Sequence, residues 1–398
     1  MKDPKPAEVP VHRHAVIPDS IRIERCKRLP EFGPKIVFLS GGSALRETSR
    51  VLKTYTHNSI HLITPFDSGG SSAVIREAFR ILGVGDLRNR LMALADESDL
   101  GSPEVSALFS YRLSVDGEAG ALRTELESMV EGVHPLVLAI PPGLRQLIRI
   151  HLRKFVQRAP EDFDLRGASL GNLVLVGGYF VNQRDFDSVL YLFSKLVSVR
   201  GVVRPMANGD LHLCARHENG EYTHGQHELG KRASVARGRI DDLFLVDDLT
   251  SHEPVEIEAD PTSLSLLEQA ALLCFPMGSF FGSLLANTLP KGVGRAICAS
   301  DALKVYVPNA GSDPEMEGYT LSGAIEKLLE FVRRDVDGEI PTSRILDYVL
   351  VDSNHGDYRF DLDLERVREL GVGVIDLPLA AGNTIDPTRL VHALLSLA

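Results

Sequence analysis

The sequence predicts an α/β fold organised around one open sheet, and three observations predict it. Apolar runs of strand length recur along the chain, several are followed by apolar residues at helical spacing, and Gly/Ser-rich segments join the two. At about 150 residues per domain, the 398-residue chain makes two or three units, or one large α/β domain with an insertion. Hydrophobic residues at 44% and charged residues at 24% are the balance of a folded globular protein, so disordered and collagen-like chains are excluded.

Residues 1–34 are polar, contain proline and lack a usable period, so they read as an N-terminal arm. The strand-length runs follow at Ile36–Leu39, Ile60–Thr64, Leu272–Phe275, Lys304–Val307, Tyr348–Val351 and Val372–Ile375. After the first run Ala44, Thr48, Val51 and Leu52 share one helical face, and after the second Val74, Ala78, Ile81 and Leu82 do the same. From Leu87 to about Arg166 the chain is richer in helix, with Leu144, Leu147, Ile148, Leu152 and Phe155 at helical spacing in Gly143–Gln157. Asp185 caps a further helix carrying Phe186, Val189, Leu190, Phe193 and Val197. The apolar stretch Val189–Val199 serves either a homodimer contact or the core. In Asp210–Leu229 the run LHLCARH alternates, Asn219-Gly220 supplies turn chemistry and YTHGQHEL returns, which predicts a hairpin. The α/β pattern resumes after Asp260, so residues 35–398 read as one discontinuous domain with residues 97–260 as a helical and hairpin middle section.

Composition narrows the function. A net charge of −11 repels phosphate backbones, and aromatics at 6% with no Trp offer no stacking platform, so nucleic acid is not an expected partner. No run approaches the apolar length of a membrane helix, and Met1–Pro10 is charged and Pro-rich rather than a signal sequence, so no membrane contact and a cytoplasmic location are expected. Cys26, Cys214, Cys274 and Cys298 are widely spaced and read as reduced structural thiols.

In an open α/β sheet, ligands bind outside the carboxyl ends of the strands. Ser40-Gly41-Gly42-Ser43 follows the first strand, Pro65-Phe66-Asp67-Ser68-Gly69-Gly70-Ser71-Ser72 the second, and Pro276-Met277-Gly278-Ser279 follows Leu272–Phe275. Each loop enters a helix. Glycine lets backbone N–H groups converge, serine adds hydroxyl donors and the helix N-terminus adds partial positive charge, a combination suited to phosphate. Strand-to-helix turns also use Gly and Ser for steric reasons alone, so the weight lies in three such loops at one sheet edge. Asp67 either holds a divalent cation on a pyrophosphate or caps its own turn. The segment Gly85-Asp86-Leu87-Arg88-Asn89-Arg90 suits phosphate or sugar contacts, or is a capped helix start with a surface ion pair.

Better-known motifs fail on context. The first glycine loop is not GxGxxG. Gly225–Lys231 satisfies GxxxxGK, but Arg232 replaces the hydroxyl residue and the setting is a hairpin. Gly167-Ala168-Ser169-Leu170-Gly171 fits GxSxG without a preceding strand. His212, Cys214, His217, His224 and His227 crowd together, yet alternation sends His212 and Cys214 to one face and His217 to the other, against a zinc site.

Six stretches carry a family resemblance: FLSGGSAL (Phe38–Leu45), TPFDSGGSSAVIR (Thr64–Arg76), VGDLRNRLMALAD (Val84–Asp96), DFDLRGASLGNL (Asp162–Leu173), FPMGSFFGSLLANTL (Phe275–Leu289), and KVYVPN with EGYTLSGAIEKL (Lys304–Leu328). With IDPTRLVHALL (Ile385–Leu395) at the end, the chain from Ile36 onward resembles the CofD-like family. That family joins the 2-phospho-lactate transferases of deazaflavin coenzyme biosynthesis to the YvcK-type gluconeogenesis or cell-shape factors. The PFDSGGSS wording resembles a subgroup named for a GAK gene system that includes an ATP-grasp enzyme.

The resemblance implies a three-layer α/β/α Rossmann-like fold binding a nucleotide-diphosphate ligand, GDP-type or a UDP-sugar. In the transferase branch a guanosine diphospho-lactate donates to a deazaflavin alcohol with Mg²⁺ assisting; the YvcK-like branch implies a non-catalytic nucleotide-sugar regulator. Carried over by position, Gly41, Gly42 and Ser43 approach the phosphates, Ser68, Gly69, Gly70 and Ser71 complete the second loop, and Arg88 and Asn89 add polar contacts. Asn172, Gly278 and Ser279 border the same pocket, and Asn287 and Asn309 contact base or ribose or cap their loops. Asp67 becomes the metal ligand, and Asp67 or Asp86 orients an attacking hydroxyl. Two positions depart from the pattern: Ser68 stands where the second branch carries a second acid, and Gly41-Gly42-Ser43-Ala44 replaces the transferases' Gly-Gly-Thr-Gly. A lost carboxylate weakens a cation site, which favours binding over transfer.

Overall fold

The computed structural model describes residues 14–98, 101–231 and 236–398. Its main strands are β1 (Ile36–Ser40), β2 (Ile60–Ile63), β3 (Val202–Pro205), β4 (His212–His217), β5 (Tyr222–His224), β6 (Ile240–Val246), β7 (Leu272–Phe275), β8 (Leu303–Tyr306), β9 (Tyr348–Val351) and β10 (Gly373–Asp376), followed by a short pair, Ala380–Ala381 with Thr384–Ile385. Seven of them form one parallel sheet in the order β10-β9-β8-β7-β1-β2-β3, with helices on both faces. The fold is therefore the α/β/α Rossmann-like one. Strands of such a sheet are covered on both sides, which is why β1, β2 and β7 are buried throughout and, apart from Ser40 and His61, apolar.

The chain starts at the centre. Val37 of β1 pairs with Ile60 of β2 on one side and with Leu273 of β7 on the other, so the winding reverses between β1 and β7. The crevice at a sheet's ligand-binding edge opens at such a reversal.

The middle section does more than cover the sheet. Its helices Pro142–Arg158 and Leu170–Val181 pack so closely that a Cβ at Gly177 would strike the backbone of His151. Asp185 caps helix Phe186–Leu196 as its sequence predicts, accepting from Asp187 N at 3.0 Å and Ser188 N at 3.3 Å. Val189, Leu190, Phe193 and Val197 are core residues. The chain then returns as β3, an edge strand of the main sheet that the sequence pattern did not single out. The expected hairpin forms between β4 and β5 around Gly220 at φ +83°, and β6 pairs on the other side of β4.

Two further details differ from the sequence reading. The helix after β2 ends at Phe79, where Arg80 turns left-handed at φ +51°, so Ile81 and Leu82 are buried beyond its end rather than on its face. Within the stretch read as an arm, Ser20–Arg28 is helical, and its Ile23 and Cys26 pack into one cluster with Leu390 and Leu394 of helix Pro387–Leu397. The four cysteines are free and buried. Among the described residues, no helix is long and apolar enough to cross a membrane.

Candidate functional site

The carboxyl ends of β1 and β7 face each other across a cavity of about 280 Å³. Gly41, Gly42 and Ser43 wall one side, Gly278 and Ser279 the other, and Asp86, Gln226, His227 and Glu315 reach in between. Two of the three Gly/Ser loops thus meet as the sequence predicts.

The first loop lies directly on Asp86. A Cβ on Gly42 would overlap the Asp86 carboxylate, and one on Gly41 would come within 2.5 Å of Ser283 Oγ. Asp86 accepts from the Gly42 N–H, and its carboxyl is pushed up to about 7, first by burial and then by the charge of Asp67. Asp67 stands behind it, outside the cavity wall. Its Oδ1 accepts from Gly69 N at 3.0 Å and its Oδ2 from Ser72 Oγ at 2.6 Å, and Ser72 Oγ in turn accepts from Gly85 N at 3.1 Å. A Cβ on Gly85 would sit 2.5 Å from Asp67 Oδ2, so glycine is required for the approach. This chain ties the second loop to the first turn of helix Gly85–Leu94 and so places Asp86.

Arg90, on the same helix, is fully buried under the first loop. Its guanidinium donates to Gly41 O at 2.9 Å and to Ser49 Oγ, fixing the loop from below. Arg88 points elsewhere: it is buried with Nε 3.4 Å from Asn172 Oδ1, while Asn172 Nδ2 donates to Ser71 Oγ at 3.0 Å. Burial, with the nearby Arg112 and Arg46, lowers the Arg88 guanidinium to about 10, so it remains cationic at neutral pH. Asn89 does not line the cavity.

The remaining expected contacts are internal. Asn287 is fully buried, donating to Ser40 O at 3.1 Å and Ser283 O at 2.8 Å, and so holds the end of β1 to the segment after β7. Asn309 donates to Gly278 O at 2.7 Å and positions that loop. Gly70 and Ser71 border a separate cavity of about 300 Å³, and Ser68 another of about 550 Å³.

The third helix entrance holds groups that the sequence reading missed. Asp313 Oδ2 accepts from Phe280 N at 2.9 Å, and Glu315 Oε2 accepts from Phe281 N at 2.8 Å and Gly282 N at 2.7 Å. The donors available to a phosphate at that turn are taken by the protein's own carboxyls. Burial pushes Asp313 up to about 6, and burial together with the Asp313 charge pushes Glu315 up to about 8.

The competing motifs fall away. Gly225 and Gln226–Leu229 form a tight turn and a short helix beside the cavity, and Arg232 lies outside the described residues. Ser169 is fully buried, with no strand leading into it. His217 is held by Gly238 O and Thr223 Oγ1, and among the described residues no group of three His, Cys, Asp or Glu side chains can hold a metal ion.

A central parallel sheet with a glycine-walled cavity at its winding reversal defines a Rossmann-like α/β protein. The model of the family described as "2-phospho-L-lactate transferase CofD" matches residues 36–380, and the chain belongs to that family. Among curated relatives, a putative gluconeogenesis factor of Clostridium acetobutylicum is 24% identical over 88% of this chain and 65% of its own length. One from Nostoc sp. is 29% identical over 80% of this chain and 55% of its own length. The chain thus spans little more than half to two thirds of these two proteins. The gluconeogenesis factor of Bacillus subtilis is 26% identical over 86% of this chain and 90% of its own length. A crystal structure of a UPF0052 family member from Bacillus halodurans superposes with a TM-score of 0.66 at 24% identity, covering 91% of this chain and 99% of that one, and has the same fold.

Proposed function

We propose that the chain is a nucleotide-diphosphate-binding protein whose ligand, GDP-type or a UDP-sugar, lays its phosphates between the β1 and β7 loops. The observation that carries this reading is the meeting of Gly41-Gly42-Ser43 and Gly278-Ser279 across one cavity at the winding reversal. A volume of about 280 Å³ accommodates a diphosphate and its attached sugar rather than a whole nucleotide. No Lys or Arg is among the described residues lining the cavity, whereas Asp86 and Glu315 are. Phosphate binding there calls for a divalent cation. The residues fit Mg²⁺, which uses one or two carboxylates and completes its shell with water and phosphate oxygens. Asp86 would hold it, with Asp67 adding negative charge from behind, and the bound ion would offset phosphate charge.

The relatives' name, gluconeogenesis factor, supports a regulatory role, which we read as binding without turnover by a cytoplasmic protein. One observation favours the alternative, transfer of a 2-phospho-lactyl-type group to a deazaflavin alcohol: a carboxyl pushed up to about 7 can accept a hydroxyl proton near neutral pH. Thermal-shift measurements with GDP and UDP-sugars, with Mg²⁺ and with chelator, test the binding reading. A cation-dependent rise in melting temperature is expected, and no rise with any nucleotide sinks it. Phosphorylated deazaflavin formed from lactyl-guanosine diphosphate decides for transfer.

A further inference from the structure

Beside the glycine-walled cavity lies the larger one of about 550 Å³, lined by Ser68, Ala73, Arg80, His212, His227 and Leu249 among others. At its wall Ser68 Oγ is 3.0 Å from His227 Nδ1, and His227 Nε2 is 2.8 Å from Glu228 Oε1. We propose that Ser68, His227 and Glu228 form a nucleophilic relay that cleaves small carboxylic esters in this second cavity.

Hydrogen bonding fixes the proton positions the relay needs. An ionised carboxylate only accepts, so the neutral imidazole carries its proton on Nε2 and leaves Nδ1 to accept from the serine hydroxyl. Ser68 Oγ meanwhile accepts from His227 N at 3.2 Å, which orients its own proton toward Nδ1. Glu228 is held below its ordinary range chiefly by the Lys231 ammonium, whose Nζ is 2.6 Å from the same Oε1, and so stays charged. A nucleophile, a base in reach and a third group orienting the base are the parts of such a relay. Here the imidazole is turned so that Nδ1, not Nε2, faces the hydroxyl.

The setting suits acyl transfer. Ser68 lies between β2 and helix Gly70–Phe79, and it lines the larger cavity together with His227 and Glu228. In the first half-reaction Ser68 Oγ bonds to the carbonyl carbon and its proton passes to His227 Nδ1. The ester C–O bond then breaks, and the departing alcohol oxygen takes that proton. In the second half water bonds to the acyl carbon and gives a proton to Nδ1. The bond to Ser68 Oγ breaks, the proton returns to it, and the acid leaves.

The test uses the full chain with a fluorophosphonate probe and p-nitrophenyl acetate. Covalent labelling at Ser68 with a burst of p-nitrophenol is expected, abolished by Ser68→Ala and slowed on the order of 10³-fold by His227→Gln. Glu228→Gln, acting through His227, should lower kcat with little change in KM. If Ser68→Ala fails to fold, Ser68→Cys replaces it, and alkylation at position 68 by iodoacetamide, slowed by His227→Gln, reports the same relay. No labelling of folded chain, labelling that persists in Ser68→Ala, or a His227→Gln rate equal to the parent overturns the proposal. His227 lines both cavities, but covalent labelling at Ser68 is read without nucleotide and the thermal shift without ester, so failure of one reading is distinguishable from failure of the other.

Discussion

Gly42 carries no side chain because Asp86 occupies the place where one would stand. Gly42→Ala is expected to cost about 1–3 kcal/mol in urea unfolding through overpacking and to abolish ligand-induced thermal shifts. Gly70 has open space around it and a φ of +49°, so Gly70→Ala meets only backbone strain, about 1 kcal/mol, and serves as the contrast. Asp86 sets a pH dependence. With its carboxyl raised from 3.8 to about 7, the folded protein keeps a proton that the unfolded chain has released, so stability falls as pH rises across that interval. Asp86→Asn should therefore be more stable than the parent at pH 8, on the order of 1–3 kcal/mol without added cation, with the difference vanishing near pH 4. Urea titrations at the two pH values check the sign. At this scale the glycines and Asp86 were legible because loop and acid are short local signals. Arg90 was passed over for Arg88, although Asp86 and Arg90 are spaced to share a helix face and Arg88 is not.

At the scale of elements, the segment Phe280–Thr288 begins on two carboxyls rather than on free donors. With Glu315 raised to about 8, it is largely protonated at pH 7, so Glu315→Gln retains an acceptor for Phe281 and Gly282 and should be nearly neutral there. Glu315→Ala leaves both buried N–H groups unpaired and should cost about 1–3 kcal/mol, measured by chemical denaturation. This cap was invisible in the sequence because its parts lie 33 and 34 residues apart and meet only through the fold. The sheet was easier to read: Leu272–Phe275 and Tyr348–Val351 match β7 and β9 residue for residue, since buried parallel strands are unbroken apolar runs. β3 escaped because Arg204 and Pro205 interrupt such a run, and an edge strand tolerates both.

At the scale of the whole molecule, the first described helix belongs to the domain. Only Ile23 and Cys26 of Ser20–Arg28 are buried, too few for a visible period, yet they complete the cluster beneath the C-terminal helix. Ile23→Ala is expected to lower stability by about 2 kcal/mol, read as a reduced urea midpoint with unchanged slope. The sheet order also governs how the molecule is made. Val37 finds its first partner at Ile60 but its second only at Leu273, so a ribosome must deliver most of the chain before the central strand is closed on both sides. A truncated product ending at residue 260 lacks β7 to β10 and leaves β1 with an open apolar edge, the template on which aggregates grow. The pairing that creates the cavity is thus also the last long-distance encounter at the sheet centre, and it makes folding slow and dependent on protection of the nascent chain.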